Sequence, residues 1–508
     1  MTVELELRGI SKRYPGVVAN DAIDLLVTTG EVHAIVGENG AGKSTLMSIL
    51  YGLVIPDEGE ILVRDNLVKF RSPLDAIDCG LGMVHQSFQL FPTMTIAENV
   101  VYGNEPRKGI FIDRTFANET VSQLAKDFGL GVDVKEKIED LGVGTLQRVE
   151  ILKALYLNAR VLILDEPTAV LTPQERTSLF EVIKQLRSNG KTIIFITHKL
   201  NEVMSIGDRV TVLRQGRVVS VSTVSKTSPA EMSLAMTGRK VDTGRRHPEN
   251  KVGKPRLLLN NLEVVDASNI RRVSGVTLTV AAGEVVGIAG VTGSGQTELV
   301  EAILGLRPVT TGEITMDGSD LTQMTVRGRR DAGLSYVPED RHRVGSAGTA
   351  SATENLSMSS QRKVKFQLHG WLRRKSINTF SKGLIDSFGI AVSGPSQLVR
   401  ELSGGNLQKV VVARELTLGS SMLVVEQPTR GVDVGAIEFI HDHIIRQRDA
   451  GCGVLLISAE LSEILALSTR VLVMFQGRIV AELDPKIVDE SEIGLYMTGL
   501  KTQLPHEI

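Results

Sequence analysis

The residues best suited to chemistry in this chain lie in a glycine-rich segment, GENGAGKS (37–44), which fits the pattern GxxxxGK[ST]. The segment follows the apolar run VHAIV and precedes a helix-like run, which is the context that this pattern requires. Glycines let backbone N–H groups turn toward a phosphate, and the following helix N-terminus adds about half a positive charge. We therefore expect Lys43 to reach the β- and γ-phosphates of a nucleoside triphosphate and Ser44 to bind Mg²⁺.

Two adjacent carboxylates follow a second apolar run, VLILDEP (161–167), which reads as a buried strand. Because unpaired buried charge is costly, acids delivered to the end of such a strand indicate a site. We assign Asp165 to the magnesium shell and Glu166 to polarising the attacking water. His198 follows the next strand-like run, IIFIT, and is expected to contact the γ-phosphate.

Two weaker candidates belong to the same predicted site. Gln86, in MVHQSF, lies between the two phosphate-site segments along the chain. Tyr14, in KRYPG, is an aromatic side chain that could stack on a base.

The elements that position these residues occur twice. TTGEVHAIVGENGAGKSTLMSILYGL recurs as AAGEVVGIAGVTGSGQTELVEAILGL with an offset of 253, and later segments recur with an offset of 261. A constant offset with a single step indicates a duplicated domain with one small insertion. We predict domains at 3–240 and 255–500, joined by a polar linker at 241–254. Strand-like runs that alternate with helical stretches predict a mainly parallel α/β core in each domain, with a mostly helical subdomain.

The composition excludes several other classes of protein. The chain has 508 residues with 57 Lys plus Arg and 59 Asp plus Glu, which argues against a nucleic-acid-coating protein. Two isolated cysteines support neither a disulfide scaffold nor a zinc or iron–sulfur site. No apolar run approaches the ~20 residues of a membrane-spanning helix, and the first residues do not resemble a signal peptide. We therefore expect a soluble chain that reaches any membrane through partners.

The second copy retains the glycine-rich segment and the strand-like runs but has other residues at the reactive positions. The replacements are Gln296 for Lys43, Glu426 and Gln427 for Asp165 and Glu166, Glu339 for Gln86, and Ala459 for His198.

The segment LSGGNLQK (402–409) resembles the signature motif of the ATP-binding-cassette family, and the resemblance spans almost the whole chain. It implies two P-loop NTPase cassettes packed head to tail, with each ATP between one phosphate site and the opposite signature. It implies ATP and Mg²⁺ as cofactors, Lys43, Glu166 and His198 as catalytic residues, and Ser44, Gln86 and Asp165 as magnesium ligands. It implies nucleotide contacts at Tyr14, Gly37, Glu38, Asn39, Gly40, Ala41, Gly42, Lys43, Ser44, Thr45, Gln86, Ser403, Gly404, Gly405 and Gln408.

Pairing of this kind predicts which motifs degenerate together. The phosphate site of the first half and the signature of the second half are intact. Conversely, the first-half signature reads LGVGT, with Gly142 in place of serine, and Thr172 stands where the second half has Asp433. The intact parts therefore form one site and the degenerate parts the other, so only the first is expected to hydrolyse ATP.

Tandem cassettes with this asymmetry resemble the ATPase subunits of bacterial nucleoside and simple-sugar importers. MVHQSFQLF (83–91) and QRVEILKALY (147–156) favour nucleosides, whereas LGVG and IFIDRTFAN leave a pentose or hexose open. The resemblance implies permease subunits as direct partners, an extracytoplasmic solute-binding protein as an indirect one, no nucleic acid, and a peripheral position on the cytoplasmic face of the cell membrane. A soluble tandem-cassette translation factor is the distant alternative; that class would carry two intact sites.

Overall fold

A computed structural model describes residues 2–15, 17–38, 40–85, 88–169, 171–238, 252–291, 293–361, 363–369, 371–432 and 434–503. The chain divides into two compact units, Met1–Val241 and Asp242–Ile508. Most of the linker predicted at 241–254 lies outside the described residues, so the domain limits 3–240 and 255–500 stay predictions.

The first unit contains α-helices and β-strands in alternation. Its strands are β1 (Val3–Tyr14), β2 (Val17–Thr28), β3 (Val32–Gly37), β4 (Glu58–Val63), β5 (Asn66–Val68), β6 (Leu81–Val84), β7 (Arg107–Lys108), β8 (Phe111–Ile112), β9 (Val161–Asp165), β10 (Thr192–Ile196), β11 (Arg209–Arg214) and β12 (Arg217–Thr223). Its helices are α1 (Lys43–Leu50), α2 (Pro73–Asp78), α3 (Ile96–Val101), α4 (Arg114–Asp127), α5 (Val143–Tyr156), α6 (Pro173–Ser188), α7 (Leu200–Ile206) and α8 (Pro229–Thr237).

The second unit repeats this order of elements. Its strands are β13 (Pro255–Val265), β14 (Arg271–Ala281), β15 (Val285–Ala289), β16 (Thr311–Met316), β17 (Ser319–Asp320), β18 (Leu334–Val337), β19 (Gln367–Leu368), β20 (Trp371–Leu372), β21 (Met422–Glu426), β22 (Gly453–Ile457), β23 (Arg470–Phe475) and β24 (Arg478–Leu483). Its helices are α9 (Gln296–Leu304), α10 (Val326–Asp331), α11 (Ala352–Ser357), α12 (Arg374–Ser387), α13 (Gly404–Leu416), α14 (Val434–Asp449), α15 (Leu461–Leu467) and α16 (Glu490–Met497).

Each unit is built on a six-stranded sheet. The order is β12-β11-β3-β10-β9-β6 in the first unit and β24-β23-β15-β22-β21-β18 in the second, with only the last hairpin antiparallel. Side chains of β9 alternate between two hydrophobic clusters, so that Val161 and Ile163 face one and Leu162 and Leu164 the other. A parallel sheet covered on both faces presents its reactive side chains only at the strand ends.

The predicted class, a duplicated α/β fold with mainly parallel cores, is confirmed. The sequence interpretation did not include the four-stranded antiparallel sheet in each unit, ordered β2-β1-β4-β5 and β14-β13-β16-β17. The helical segment that the sequence predicts before each signature contains α3 and α4 in the first unit and α11 and α12 in the second, each with a two-stranded hairpin. The head-to-tail arrangement of the two units stays a prediction.

Candidate functional site

The glycine-rich loop of the first unit joins the end of β3 to the start of α1. Gly42 has φ 99°, and a Cβ atom there would lie 2.2 Å from the carbonyl oxygen of Ala19. A Cβ atom on Gly37 would lie 2.5 Å from the carbonyl oxygen of Leu213. Only glycine fits at these two positions, and the loop is therefore held tightly against its neighbours around the start of the helix.

Lys43, the first residue of α1, points back over this loop. Its side chain is 6% exposed, and Nζ donates hydrogen bonds to the carbonyl oxygens of Gly37 (2.6 Å) and Glu38 (2.9 Å). Burial lowers the pKa of the Lys43 ammonium, while the carboxylates of Glu166 and Asp165 oppose that shift. A buried ammonium enclosed by loop carbonyls is a fitting partner for phosphate oxygens.

Asp165 and Glu166 stand at the end of β9, where the sequence predicted them. Glu166 adopts φ 45°, and its N–H donates to the carbonyl oxygen of Ile196 at the end of β10 (3.0 Å). Burial and the negative charge of Glu166 raise the pKa of Asp165, whereas Lys43 opposes the increase. The strand ends thus bring both acids into the electrostatic range of Lys43.

His198 lies directly against Glu166, with 2.8 Å between Nδ1 and Oε1. Burial acts to raise the pKa of Glu166, but the hydrogen bond and charge of His198, with the charges of Lys43 and Lys199, lower it overall. The Glu166 carboxylate is therefore ionised near neutral pH and able to accept a proton. The structure brings together all three residues that the sequence predicted as catalytic.

A residue that sequence reasoning missed connects the two loops that carry this pair. Glu202 of α7 is 2% exposed and accepts hydrogen bonds from the hydroxyls of Thr168 (2.7 Å) and Thr197 (2.8 Å). Thr168 follows Glu166 by two residues, and Thr197 directly precedes His198. Glu202 is thus a positioning residue for the loop that carries Glu166 and the loop that carries His198. A glutamate is an ordinary residue near the start of a helix, so the sequence gave no signal of that role.

The remaining predicted residues of the first unit have these positions. Ala41 is buried in the loop, Ser44 and Thr45 lie in the first turn of α1, and Ser44 is exposed. Tyr14 is 43% exposed on the β1–β2 hairpin, whose Asn20 donates to the carbonyl oxygen of Gly42 (3.1 Å). Asn39 and Gln86 lie outside the described residues. Their assignments, like those of the other site residues, stay predictions.

The donor set fits Mg²⁺ in kind. Ser44 and Asp165 offer a hydroxyl and a carboxylate, and hard oxygen ligands are what this ion prefers. Among the described residues, no group of three or more His, Cys, Asp or Glu side chains could hold a metal ion. A magnesium ion does not need one, because it usually takes one or two carboxylates and completes its shell with substrate oxygens and water.

The signature segment of the second unit begins α13. Ser403 is its exposed N-cap, and its Oγ accepts from the side-chain amide of Asn406 (2.9 Å). Gly404 and Gly405 form the first turn. Gln408 is 1% exposed, so its side chain lies inside the unit. The structure thus places Asn406, which the sequence interpretation did not select, beside the predicted serine.

The second unit has the same loop and strand ends with different chemistry. Gly295 has φ 100° before Gln296, and Gln427 has φ 46° with its N–H donating to Ile457 (2.8 Å). The side-chain oxygen of Gln427 accepts from the backbone N–H of Ala459 (3.0 Å). No ionised carboxylate faces a histidine at this corner of the described unit.

Glu426, the counterpart of Asp165, is buried at this corner. Burial raises its pKa to about 7, against an opposing hydrogen bond from the hydroxyl of Tyr336. A carboxyl group with such a pKa is partly protonated at neutral pH and is a poorer ligand for a divalent cation than an ionised one.

Comparison with known proteins agrees with this geometry. The model of the family described as ABC transporter matches residues 21–169 and 273–430, which include both glycine-rich loops, the ends of β9 and β21, and the signature segment 402–409. The chain belongs to the ABC transporter family. The resemblance drawn from the signature motif is confirmed, and the chain is an ATP-binding ATPase of that family.

Relatives of this ABC ATPase align along nearly its whole length. It is 47% identical to the glucose import ATP-binding protein TsgD13 of Haloferax volcanii, over 97% of this chain and 96% of that protein. It is 44% identical to the guanosine import ATP-binding protein NupO of Bacillus subtilis, over 98% of each. It is 42% identical to the nucleoside import ATP-binding protein NupA of Lactococcus lactis, over 97% and 98%.

A solved structure supports the tandem fold. A chain in the complex of archaeal ribosomal stalk protein aP1 with ribosome recycling factor aABCE1 has a TM-score of 0.61, covering 94% of this chain and 90% of that chain. At 21% identity this likeness shows the fold alone and does not favour the translation-factor alternative. Among the described residues of this ABC ATPase, none of the helices has the length and apolar character needed to span a bilayer.

Proposed function

We propose that this ATPase energises the import of a nucleoside through a membrane permease. The observation that carries the ATPase part is the hydrogen-bonded Glu166–His198 pair within reach of the charge of Lys43. The nucleoside part is supported by the MVHQSFQLF and QRVEILKALY segments and by the similarity to guanosine and nucleoside import proteins.

A simple sugar is the second candidate for the imported solute. The 47% identity to a glucose import protein favours it, as do the LGVG and IFIDRTFAN segments of this chain. The ATPase does not itself touch the solute, so the choice between the two rests on similarity and not on site chemistry.

At the working site, each side chain has a distinct task. Lys43 and the N–H groups of the loop bind the terminal phosphates, and Glu166 orients and polarises the attacking water with His198 beside it. Ser44, Gln86 and Asp165 would hold Mg²⁺, which would neutralise charge on the phosphate oxygens. Tyr14 stacks on the adenine ring.

The site is completed by the second unit. Ser403, with the backbone of Gly404 and Gly405, contributes the signature contact to the γ-phosphate that Lys43 binds. The support is the sorting of motifs: the intact phosphate site and the intact signature lie on different units, and so do the degenerate ones. Independent decay of motifs would not produce that distribution.

Closure of the two units around ATP is transmitted to the permease subunits, and hydrolysis resets them. The ATPase is thereby peripheral to the membrane on its cytoplasmic side, and a solute-binding protein delivers the solute to the permease from the opposite side.

Replacing Ser403 tests the shared site. Ser403→Arg places a bulky side chain at the signature and is expected to reduce ATP turnover by at least about 100-fold, as a change to the phosphate loop would. Ser403 lies 360 residues from Lys43 along the chain, so normal turnover would contradict pairing between the units. The same substitution at the degenerate signature, Gly142→Arg, is the matched control and should have a much smaller effect.

The solute is tested separately. The co-isolated solute-binding protein should bind radiolabelled nucleosides and not ribose or glucose. The reverse result would favour the sugar, and it would leave the ATPase mechanism unaffected.

A further inference from the structure

The loop after β18 carries an arginine into a corner of the second unit. Arg341 donates from Nη1 to the carbonyl oxygen of Arg430 (2.6 Å) and from Nη2 to that of Gly431 (3.1 Å). Both carbonyls belong to the turn that follows Gln427. A second link joins the same two segments, because the Arg430 side chain forms an ion pair with Glu339.

The same guanidinium also reaches the start of the signature helix. A Cβ atom built on Gly404 would lie 2.7 Å from Nη2 of Arg341, and one on Gly431 would lie 3.2 Å from it. Glycine at these two positions therefore leaves the space that the guanidinium occupies. Arg341 stands where three segments of the second unit meet: the loop after β18, the turn after β21 and the N-terminus of α13.

The first unit differs at all three positions. Counted from the matching elements of the repeat, Phe88 corresponds to Arg341, Val143 to Gly404 and Val170 to Gly431. The arginine and both glycines are thus absent together from the unit with the degenerate signature. This joint change links Arg341 to the intact signature and not to the general stability of the fold.

We propose that Arg341 is a positioning residue for ATP hydrolysis, which fixes the signature turn of Ser403 and Gly404 against the turn after Gln427. This inference rests on the proposed sharing of the site between the units. A guanidinium is charged at all working pH values, and its rigid fork satisfies two separate acceptors at once. It therefore sets the direction in which the signature presents its N-terminus to a phosphate, and a displacement of about 1 Å at such a group costs on the order of 100-fold in rate.

The test is Arg341→Gln in the full chain, with Arg343→Gln as the matched control. Arg343 lies in the same loop, and its side chain is exposed. We expect Arg341→Gln to lower kcat for ATP hydrolysis about 100-fold. The affinity of the first unit for ATP should change little, because Lys43 and its loop belong to the first unit and are unaltered. Hydrogen exchange should become faster in peptides covering 402–406 and 429–432. Arg343→Gln should change neither.

Arg341→Lys keeps the charge but loses the fork, and we expect an intermediate rate together with intermediate exchange. Unchanged turnover in Arg341→Gln would overturn the inference, as would faster exchange throughout the second unit, which would indicate a general structural role. If Ser403→Arg abolishes turnover while Arg341→Gln does not, the shared site stands and only the role of Arg341 is lost. Normal turnover in Ser403→Arg would instead remove the shared site.

Discussion

The two units have the same backbone conformation and hydrogen bond at the ends of β9 and β21 but carry different side chains there. Glu166 and Gln427 have φ values of 45° and 46°, and each donates its N–H to the isoleucine that ends the next strand. The side chains then diverge: Glu166 meets His198, whereas Gln427 accepts from the backbone of Ala459. The left-handed backbone conformation is therefore a property of the fold at this position and does not require a glutamate side chain.

The contrast shows which forces maintain each part of a site. The loop conformation depends on close backbone contacts, and Gly42 and Gly295 are both needed because a Cβ atom would meet a carbonyl oxygen at 2.2 Å and 2.3 Å. The reactive groups depend on a balance of charge among a few side chains. Lys43 is replaced by the neutral Gln296, and the Asp165–Glu166 pair by the buried carboxyl group of Glu426 and the amide of Gln427. The second unit therefore has the same close backbone contacts in its loop but lacks the charged side chains of the first site.

The largest effect should come from removing charge at the first site. Lys43→Ala and Glu166→Gln are each expected to lower ATP turnover by about 10²–10⁴-fold, because the first removes a phosphate contact and the second a general base. Glu166→Gln should still bind ATP, as measured by retention of labelled nucleotide, since Lys43 remains. The matched control is Gln296→Ala, which should leave turnover within about twofold. Comparable losses in that control would mean that both loops take part in hydrolysis.

The parts of the site that depend on local sequence could be predicted, and those that depend on tertiary contacts could not. The loop 37–44 and the acids at 165–166 have spacings fixed by a strand, a turn and a helix, so a pattern identifies them. Glu202 accepts from Thr168, which lies 34 residues away along the chain, and Asn406 accepts from the backbone N–H of Ala391, 15 residues away; only folding brings these partners close. Both residue types are ordinary for helix starts. The placement of Gln408 shows the same limit, since a residue near a motif is not necessarily on its exposed face.

The antiparallel sheet is the corresponding case for the fold. The alternation in VELEL, at the start of β1, was a readable signal for a strand. Its partners β2 and β4 could not be identified from one sequence, because register is set by packing over the core and by the turns. The duplication, by contrast, could be predicted from the sequence, because the same segments recur at nearly constant offsets.

The next largest expected effect is a pH dependence of stability that arises in the second unit. Burial raises the pKa of Glu426 to about 7 from its ordinary value of 4.5. Between pH 4.5 and about pH 7, Glu426 keeps its proton in the folded unit, whereas the same carboxyl group has released it in the unfolded chain. The free energy of unfolding should therefore fall as pH rises through this range. Glu426→Gln cannot lose that proton. We expect equal melting temperatures at pH 4.5 and a more stable variant at pH 8, by at most about 3 kcal/mol.

Tyr336→Phe sharpens this test. The Tyr336 hydroxyl lowers the pKa of Glu426 through its hydrogen bond, so its removal should move the loss of stability to higher pH. Parallel melting curves for the native protein and Glu426→Gln from pH 4.5 to pH 8 would show that this carboxyl group is ionised in the fold as it is in the unfolded chain.

The smallest effect is expected where a reactive group is restored alone. Gln427→Glu returns the carboxylate to the second unit, but Gln296 still lacks the ammonium, Ala459 still lacks the imidazole, and Gly142 lacks the hydroxyl of the opposite signature. A carboxylate at 427 would also face the buried Glu426 without a neighbouring cation such as Lys43, which favours its protonated form. In a Glu166→Gln background, which silences the first site, turnover should therefore stay within about twofold of the Glu166→Gln parent. A gain of tenfold or more in that background would show that the general base alone limits the second site, and that the two units differ by one group and not by a whole charge balance.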